Sequence, residues 1–331
     1  MLKILTKKML EGQDLTRLEI EAAMDLMINK TAPSEQISFF LGVLSKKGES
    51  ADEIASFASF MRQNCAKIAI SEPDAIDLCG TGGDGTNTFN ISTAAVFVAA
   101  GAGAIIAKHG NRSVSSKSGS ADVLEALGVN INMDAKTSID KTGIGFMFAP
   151  LHHSVMKNLK ELRVAINMPT ILNLLGPLTN PAEVKRQIIG VYDGKKARNV
   201  AGALKILGAK EAMVIHSRDG LDEISIGAAT SIYHLKNGEI KEFEITPEDY
   251  GLKRSSLDLI KGGDAQENAE IILNILNGSQ SPARDITVLN AAAALVVAGV
   301  AKDLTQGVKL SNEAIDNKKA LAKLEALRQC F

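Results

Sequence analysis

The stretch DLCGTGGDGTNTFNIST, from Asp77 to Thr93, follows the apolar start of a strand-like run at Ala75 and leads into the helix-forming run STAAVFVAAGAG. Strand, glycine-rich turn and helix in this order are the first half of a βαβ unit, so the stretch points to an α/β fold. Glycines after a parallel strand let backbone N–H groups approach an anion. Asn90, Ser92 and Thr93 then open a helix whose N-terminus favours negative charge. The spacing of Gly80, Gly82 and Gly85 is that of the dinucleotide fingerprint, but such a site also needs an acidic residue about twenty positions on to hold the ribose. No Asp or Glu stands between Asp84 and Asp122. The next strand-like run instead ends in Lys108-His109-Gly110-Asn111-Arg112, followed by SVSSKSGS, a basic and hydroxyl-rich loop. Two such loops favour a ligand with several phosphates over a nicotinamide. A Walker loop is excluded because no Gly-Lys-Ser/Thr follows the glycines.

Outward from this stretch the alternation continues. AIIAKHG, GFMFAP, QIIGVY and EAMVIHS read as strands separated by helical runs, which implies a parallel sheet covered on both faces. Lys236-Asn237-Gly238-Glu239 lies between SIYHL and IKEFEI and predicts a hairpin, so antiparallel strands are appended to the sheet. VLNAAAALVVAG is too long and Ala-rich for a strand and reads as a buried helix. Residues up to about 70 carry no strand pattern. Thr16-x-x-Glu19 and Ser50-x-x-Glu53 are capping boxes there, Pro33 fits a helix start and Gly48 a stop.

The acid pair Asp222-Glu223 follows EAMVIHS and the turn Arg218-Asp219-Gly220, at another strand's carboxyl end. Beside a polyphosphate site such a pair suits Mg²⁺, which prefers few carboxylates together with waters and phosphate oxygens. The Ser92 hydroxyl can serve a second ion. Arg163 stands before the apolar NLLGPLTNP segment, where a guanidinium can hold a planar carboxylate bidentately against apolar side chains.

The chain has 331 residues, enough for a large domain and a smaller one. With 45% hydrophobic and 23% charged residues it reads as an ordinary globular protein, and its net charge of -1 gives no reason to expect nucleic acid. No apolar run reaches membrane-spanning length and no signal peptide is visible, so a cytoplasmic location is expected. The three cysteines lack C-x-x-C spacing, and the His152-His153 pair lacks a metal-binding pattern.

Taken together, GTGGD with NIST, KHGNR with SVSSKSGSADVLEALG, FAPLHH, NLLGPLTNP, DGLDEIS and GGDAQENA resemble, in order, the anthranilate phosphoribosyltransferase family of tryptophan biosynthesis. The resemblance extends from about residue 36 to residue 300. It implies a small helical domain, residues 1–70 with a return segment near 165–184, beside a large α/β domain over 71–331 similar to that of the pyrimidine nucleoside phosphorylases. It also implies a homodimer built through the helical domain. Carried over by motif, Gly80, Gly83, Asp84, Thr88, Asn90, Ile91, Ser92, Thr93, Lys108, Ser116 and Ser120 would bind phosphoribosyl pyrophosphate. Gly80, Asn111 and Arg163 would meet anthranilate, and Ser92, Asp222 and Glu223 would hold Mg²⁺. The chain departs from the family at Asn167-Met168-Pro169, where glycine and arginine are common, and at Ser154-Val155, where Pro-Ala is usual. The implied reaction is attack of the aromatic amine on C1 of the ribose with loss of pyrophosphate. That amine is neutral at pH 7, consistent with a sequence that offers no acid–base dyad. The competing expectations are a nucleoside phosphorylase of the same fold and a non-catalytic relative that binds nucleotides or nucleic acid.

Overall fold

The computed structural model describes residues 1–113, 117–155, 159, 166 and 168–330. Its first part is helical, with helices Leu2–Leu10, Arg17–Ile28, Ser34–Lys47 and Ala51–Gln63. Both expected capping boxes are formed: Glu19 Oε2 accepts from Thr16 N at 2.7 Å, and Glu53 Oε2 accepts from Ser50 N at 2.9 Å. Glu53 is fully buried and also takes hydrogen bonds from Leu15 N at 2.9 Å and from Lys47 Nζ at 2.7 Å. One carboxylate thereby ties the starts of two helices to the end of a third. Pro33 precedes the third helix and Gly48 ends it with φ 88°.

The rest is built on a seven-stranded sheet of order β3-β2-β1-β4-β5-β6-β7, with β1 Ile76–Gly80, β2 Ile106–Gly110, β3 Ile144–Phe148, β4 Arg186–Gly190, β5 Glu211–Ser217, β6 Thr230–Lys236 and β7 Glu239–Ile245. β1 to β5 are parallel; β6 and β7 are antiparallel. The β6–β7 hairpin turns at Asn237 and Gly238, with φ 52° and 77°, the geometry an Asn-Gly pair favours. Strand residues alternate between two cores. Ile188, Met213 and Ile215 face the core shared with helices Ile91–Gly101 and Pro282–Val297. Ile189, Ala212 and Val214 face the core shared with helix Gly194–Ile206 and the first four helices. The helical part is thus packed directly onto one face of the sheet. Among the described residues, no helix is long and apolar enough to cross a membrane.

Strand order reverses at β1, because β2 and β3 lie on one side of it and β4 on the other. In open parallel sheets ligands bind outside the carboxyl ends of the strands at such a reversal. Here those ends are Gly80 and Gly190, paired across β1 and β4. A Cβ on Gly190 would stand 1.6 Å from the carbonyl oxygen of Asp222, and one on Gly80 would stand 2.3 Å from Asp222 Oδ2. Backbone cannot yield as a flexible side chain does, so Gly190→Ala is expected to destabilise the protein by about 3 kcal/mol. Gly42→Ala, in a helix where an added Cβ meets nothing within 4 Å, is expected to stabilise it by about 0.5–1 kcal/mol. Urea unfolding of both variants checks the opposite signs.

Candidate functional site

Asp222 rests on the paired strand ends. Its Oδ2 accepts from Gly82 N at 2.8 Å, and the next turn of the loop is possible because Gly82 and Gly83 adopt φ 64° and 83°. Thr81 joins the same strand ends: its N donates to Gly190 O at 2.9 Å, and its Oγ1 accepts from Tyr192 N at 3.1 Å. Asp84 folds back on its own loop, taking Thr86 N at 3.2 Å and Thr86 Oγ1 at 2.7 Å. Burial and the neighbouring Asp84 carboxyl push Asp222 well above the usual carboxylate range. Burial, then the Asp222 charge, do the same to Glu223, which Lys108 and the Ser92 N–H partly offset. A divalent cation would relieve this crowding of acids. The donors are hard oxygens, they are few, and the open side is the phosphate loop, so the residues present fit Mg²⁺.

The helix Ile91–Gly101 begins beside these acids with no side-chain cap. Its N-cap residue, Asn90, is diverted: Nδ2 donates to Ser118 O at 3.2 Å, and Oδ1 accepts from Asn268 Nδ2 at 2.9 Å. Ile91 is buried in the core and holds the first turn in place. Thr93 is also buried, and its hydroxyl has no hydrogen-bond partner among the described residues. Lys108, 3% exposed, donates to Leu78 O and to Ser92 Oγ, the latter at 3.3 Å. Ser92 therefore meets Lys108 through its hydroxyl and Glu223 through its N–H.

The far end of the glycine loop is fixed by the GGDAQEN motif. Thr88 bridges to Lys261, Gly262 N donates to Asn87 O at 2.9 Å, and Asn268 Oδ1 accepts from Gly263 N at 2.8 Å. Thr88, Lys117, Ser118 and Gly262 line a narrow crevice where the two loops face each other.

In the second loop, Asn111 and Ser120 come together, with Ser120 Oγ donating to Asn111 O at 3.3 Å. Arg112 is turned away from the phosphate loop: it pairs with Asp122 at 2.7 Å and Glu125 at 2.6 Å and lies over the Phe148 ring. Ser116 and Arg163 lie outside the described residues, as does Asn167. The structure thus brings Gly80 and Asp84 to Asp222, and Glu223 and Lys108 to Ser92, with Asn90 spanning the two loops.

Several supporting residues were given no role by the sequence. Asp77, wholly buried in β1, accepts from His109 N at 3.1 Å and from Asn180 Nδ2 at 2.8 Å. Burial raises its carboxyl to about 6 against the pull of Lys108. His109 donates through Nδ1 to Gly176 O at 3.1 Å and lies 5.0 Å, ring to ring, from His153. Burial and their mutual proximity lower His109 to about 3, and burial, then His152, lower His153 to about 4, so both rings are neutral. The signal available for His109 and Asn180 was membership in KHGNR and NLLGPLTNP; for Asn268 it was GGDAQENA.

Two family models match the chain: the glycosyl transferase family a/b domain over residues 72–321 and the glycosyl transferase family helical bundle domain over residues 3–65. A curated anthranilate phosphoribosyltransferase of Acetivibrio thermocellus is 48% identical over 328 residues, covering 98% of this chain and 95% of its own length. Among solved structures, the anthranilate phosphoribosyltransferase of Thermus thermophilus superposes with a TM-score of 0.91 at 35% identity, covering 98% of each chain. That of Saccharomyces cerevisiae, in complex with phosphoribosyl pyrophosphate and Mg, superposes with a TM-score of 0.89 at 28% identity, covering 99% of this chain and 97% of its own. With near-complete coverage on both counts, and with the glycine loop, basic loop and acid pair gathered at one end of the sheet, the chain belongs to the anthranilate phosphoribosyltransferase family.

Proposed function

We propose that this chain transfers the phosphoribosyl group of phosphoribosyl pyrophosphate to the amine of anthranilate. The C1–N bond forms, the C1–O bond to the diphosphate breaks, and the amine gives up one proton. The observation that carries this reading is the open start of helix Ile91–Gly101. Its natural cap, Asn90, is committed elsewhere and the Thr93 hydroxyl has no partner among the described residues, while Lys108 meets Ser92 Oγ and Glu223 meets Ser92 N in its first turn. An anion with an attached cation satisfies all of these groups at once. Inorganic phosphate alone would leave Asp222 and Glu223 without a cation, which disfavours the phosphorylase alternative.

Mg²⁺ held by Asp222 and Glu223, with Ser92 at a second position, would neutralise charge on the departing pyrophosphate. The chain's own residues do the rest by positioning. Gly80, Gly83, Asp84 and Thr88 shape the phosphate loop, and Asn90 to Thr93 present the helix start. Lys108 and Ser120 are assigned to the second side, and Ser116 is assigned there from its place in the sequence. Asn111 and Arg163 are assigned to anthranilate, Arg163 from its place in the sequence. The reacting amine needs no strong base, and no acid–base dyad is assigned. The small domain is assigned to residues 1–70 with the return segment 165–184. Exposed Ile4, Leu18 and Phe39, 73%, 77% and 61% accessible on that domain, support its use as a homodimer face. The substrates are small molecules, and a cytoplasmic location suits a chain with this chemistry.

Replacing the acid pair by Asp222→Asn with Glu223→Gln is expected to abolish the Mg²⁺ requirement together with most of the turnover, without loss of folding stability. Removing two neighbouring like charges relieves repulsion, so unfolding by urea should occur at an equal or higher midpoint. Retained activity at limiting Mg²⁺ would remove the metal role. Arg163→Ala is expected to raise the KM for anthranilate by at least about tenfold, the value of a hydrogen bond to a charged group, and to leave phosphoribosyl pyrophosphate affinity nearly unchanged. Comparing anthranilate with an aniline lacking the carboxylate checks this, since equal losses on both would reassign Arg163. Ile4→Asp with Phe39→Asp is expected to convert a dimer to monomers in sedimentation velocity, and an unchanged sedimentation coefficient would place the interface elsewhere.

A further inference from the structure

The helix Pro282–Val297 is buried along almost its whole length and is rich in alanine, yet it carries Asn290, 2% exposed. A buried amide is unfavourable unless its donors and acceptor are all used. Within its own helix Asn290 has one partner, Ile286 O, which accepts from Nδ2 at 2.9 Å. Its other two bonds go to a single residue far along the chain. Nδ2 donates to Ile224 O at 2.9 Å, and Oδ1 accepts from Ile224 N at 2.9 Å. Both backbone polar groups of Ile224 are therefore held by one side chain, as a strand neighbour would hold them.

Ile224 directly follows Asp222 and Glu223. From the opposite side the same loop is stopped by Gly190, where the Asp222 carbonyl leaves no room for a Cβ, and by the Gly82 N–H on Asp222 Oδ2. The loop that carries the acids is thus wedged between the strand ends and Asn290. Without the clamp, a loop bearing one buried and one half-buried carboxylate gains hydration and separation by swinging toward solvent. An alanine at 290 would suit the helix equally well, so the amide serves the loop.

We propose that Asn290 is a positioning residue that holds the Asp222-Glu223 backbone in place for a divalent cation bound with pyrophosphate. The proposal rests on the reading of that pair as the metal ligands. Asn290 touches neither substrate nor cation; it acts through the peptide of Ile224.

The test is calorimetric titration of pyrophosphate into the full-length protein with and without Mn²⁺, on wild type, Asn290→Ala, Asn290→Ser and the Asp222→Asn/Glu223→Gln variant. Wild type should bind pyrophosphate more tightly when Mn²⁺ is present. In both Asn290 variants that metal-dependent gain is expected to fall by about tenfold or more, the usual effect of removing a group that orients a metal ligand. Their metal-free pyrophosphate affinity is expected to stay within about twofold of wild type, because the glycine loop and helix start are intact. Asn290→Ser keeps a hydroxyl for Ile286 O, so it supplies the measurement if Asn290→Ala does not fold. A merely structural asparagine would lower the melting temperature and leave the metal-dependent gain unchanged; that result overturns the proposal. If the double acid variant keeps the gain, the metal reading of Asp222 and Glu223 fails instead, which is a separate outcome.

Discussion

The contact on which the site depends is the seating of Asp222 against Gly80 and Gly190. Two adjacent parallel strands end in glycine at the same register, and the loop after a third strand lies over them closely enough to exclude any side chain. The Gly82 N–H then meets the Asp222 carboxylate, which fixes the first turn of the phosphate loop. From Gly82 the chain has eight residues, 83–90, before the helix at Ile91, and its far end is anchored by Phe89 N on Ile260 O and Gly262 N on Asn87 O. The loop is tethered at both ends while its middle stays exposed at Gly82, Gly83 and Gly85. That combination suits a surface that must wrap an anion without folding around itself.

The electrostatics of the resting site are unfavourable by design of the packing. Burial raises the proton affinity of Asp222 and Glu223, and the neighbouring Asp84 carboxyl and, for Glu223, the Asp222 charge raise it further. Lys108 offsets part of this, but its ammonium is already shared with Leu78 O and Ser92 Oγ and also draws on Asp77 on the other side of β1. One buried cation, Lys108, thus stands near the buried Asp77 and Asp222 and the half-buried Glu223, and such a set of acids is tolerated only where fixed surroundings prevent escape. The rigid partners here are backbone groups, glycine contacts and an amide, none of which can reorient to let the acids out. A cation carrying phosphate oxygens would complete the balance, and binding it would ask little further ordering of the protein.

Much of this was legible locally. The capping boxes, the Gly48 stop, the Asn-Gly hairpin and the alternation of strands and helices are short-range patterns whose physics acts within a few residues, and each element formed where its signal stood. The glycine loop was legible for the same reason, although β1 runs one residue further than the apolar run suggested and includes Gly80 itself. What could not be read was which distant group completes each local arrangement. Asn268 meets Asn90 across 178 positions, Asn180 meets Asp77 across 103, and Asn290 meets Ile224 across 66. A single polar residue inside VLNAAAALVVAG does announce that something must satisfy it, but not what. The same limit applies to Gly190, whose lack of a side chain has no local cause within β4 and is explained only by the loop from Asp222.

The segment around helix Ile171–Leu178 links the helical part of the chain to the strand ends of the candidate site. The helix packs in the core shared with the first four helices, and Leu178 O accepts from Arg62 Nε at 2.7 Å. Yet it is also pinned to the sheet: Gly176 O accepts from His109 of β2 at 3.1 Å, Pro177 O accepts from Gln187 of β4 at 2.8 Å, and Asn180 just beyond it donates to Asp77 of β1 at 2.8 Å. Those are the three strands whose ends carry the phosphate loop, the basic loop and the glycine seat of Asp222. A donor substrate held at the strand ends and an acceptor held along this segment would share one rigid reference, so their separation would vary little. Because the neutral amine needs only to be kept in line with C1, fixing that separation in advance supplies the part of the barrier that orientation can remove.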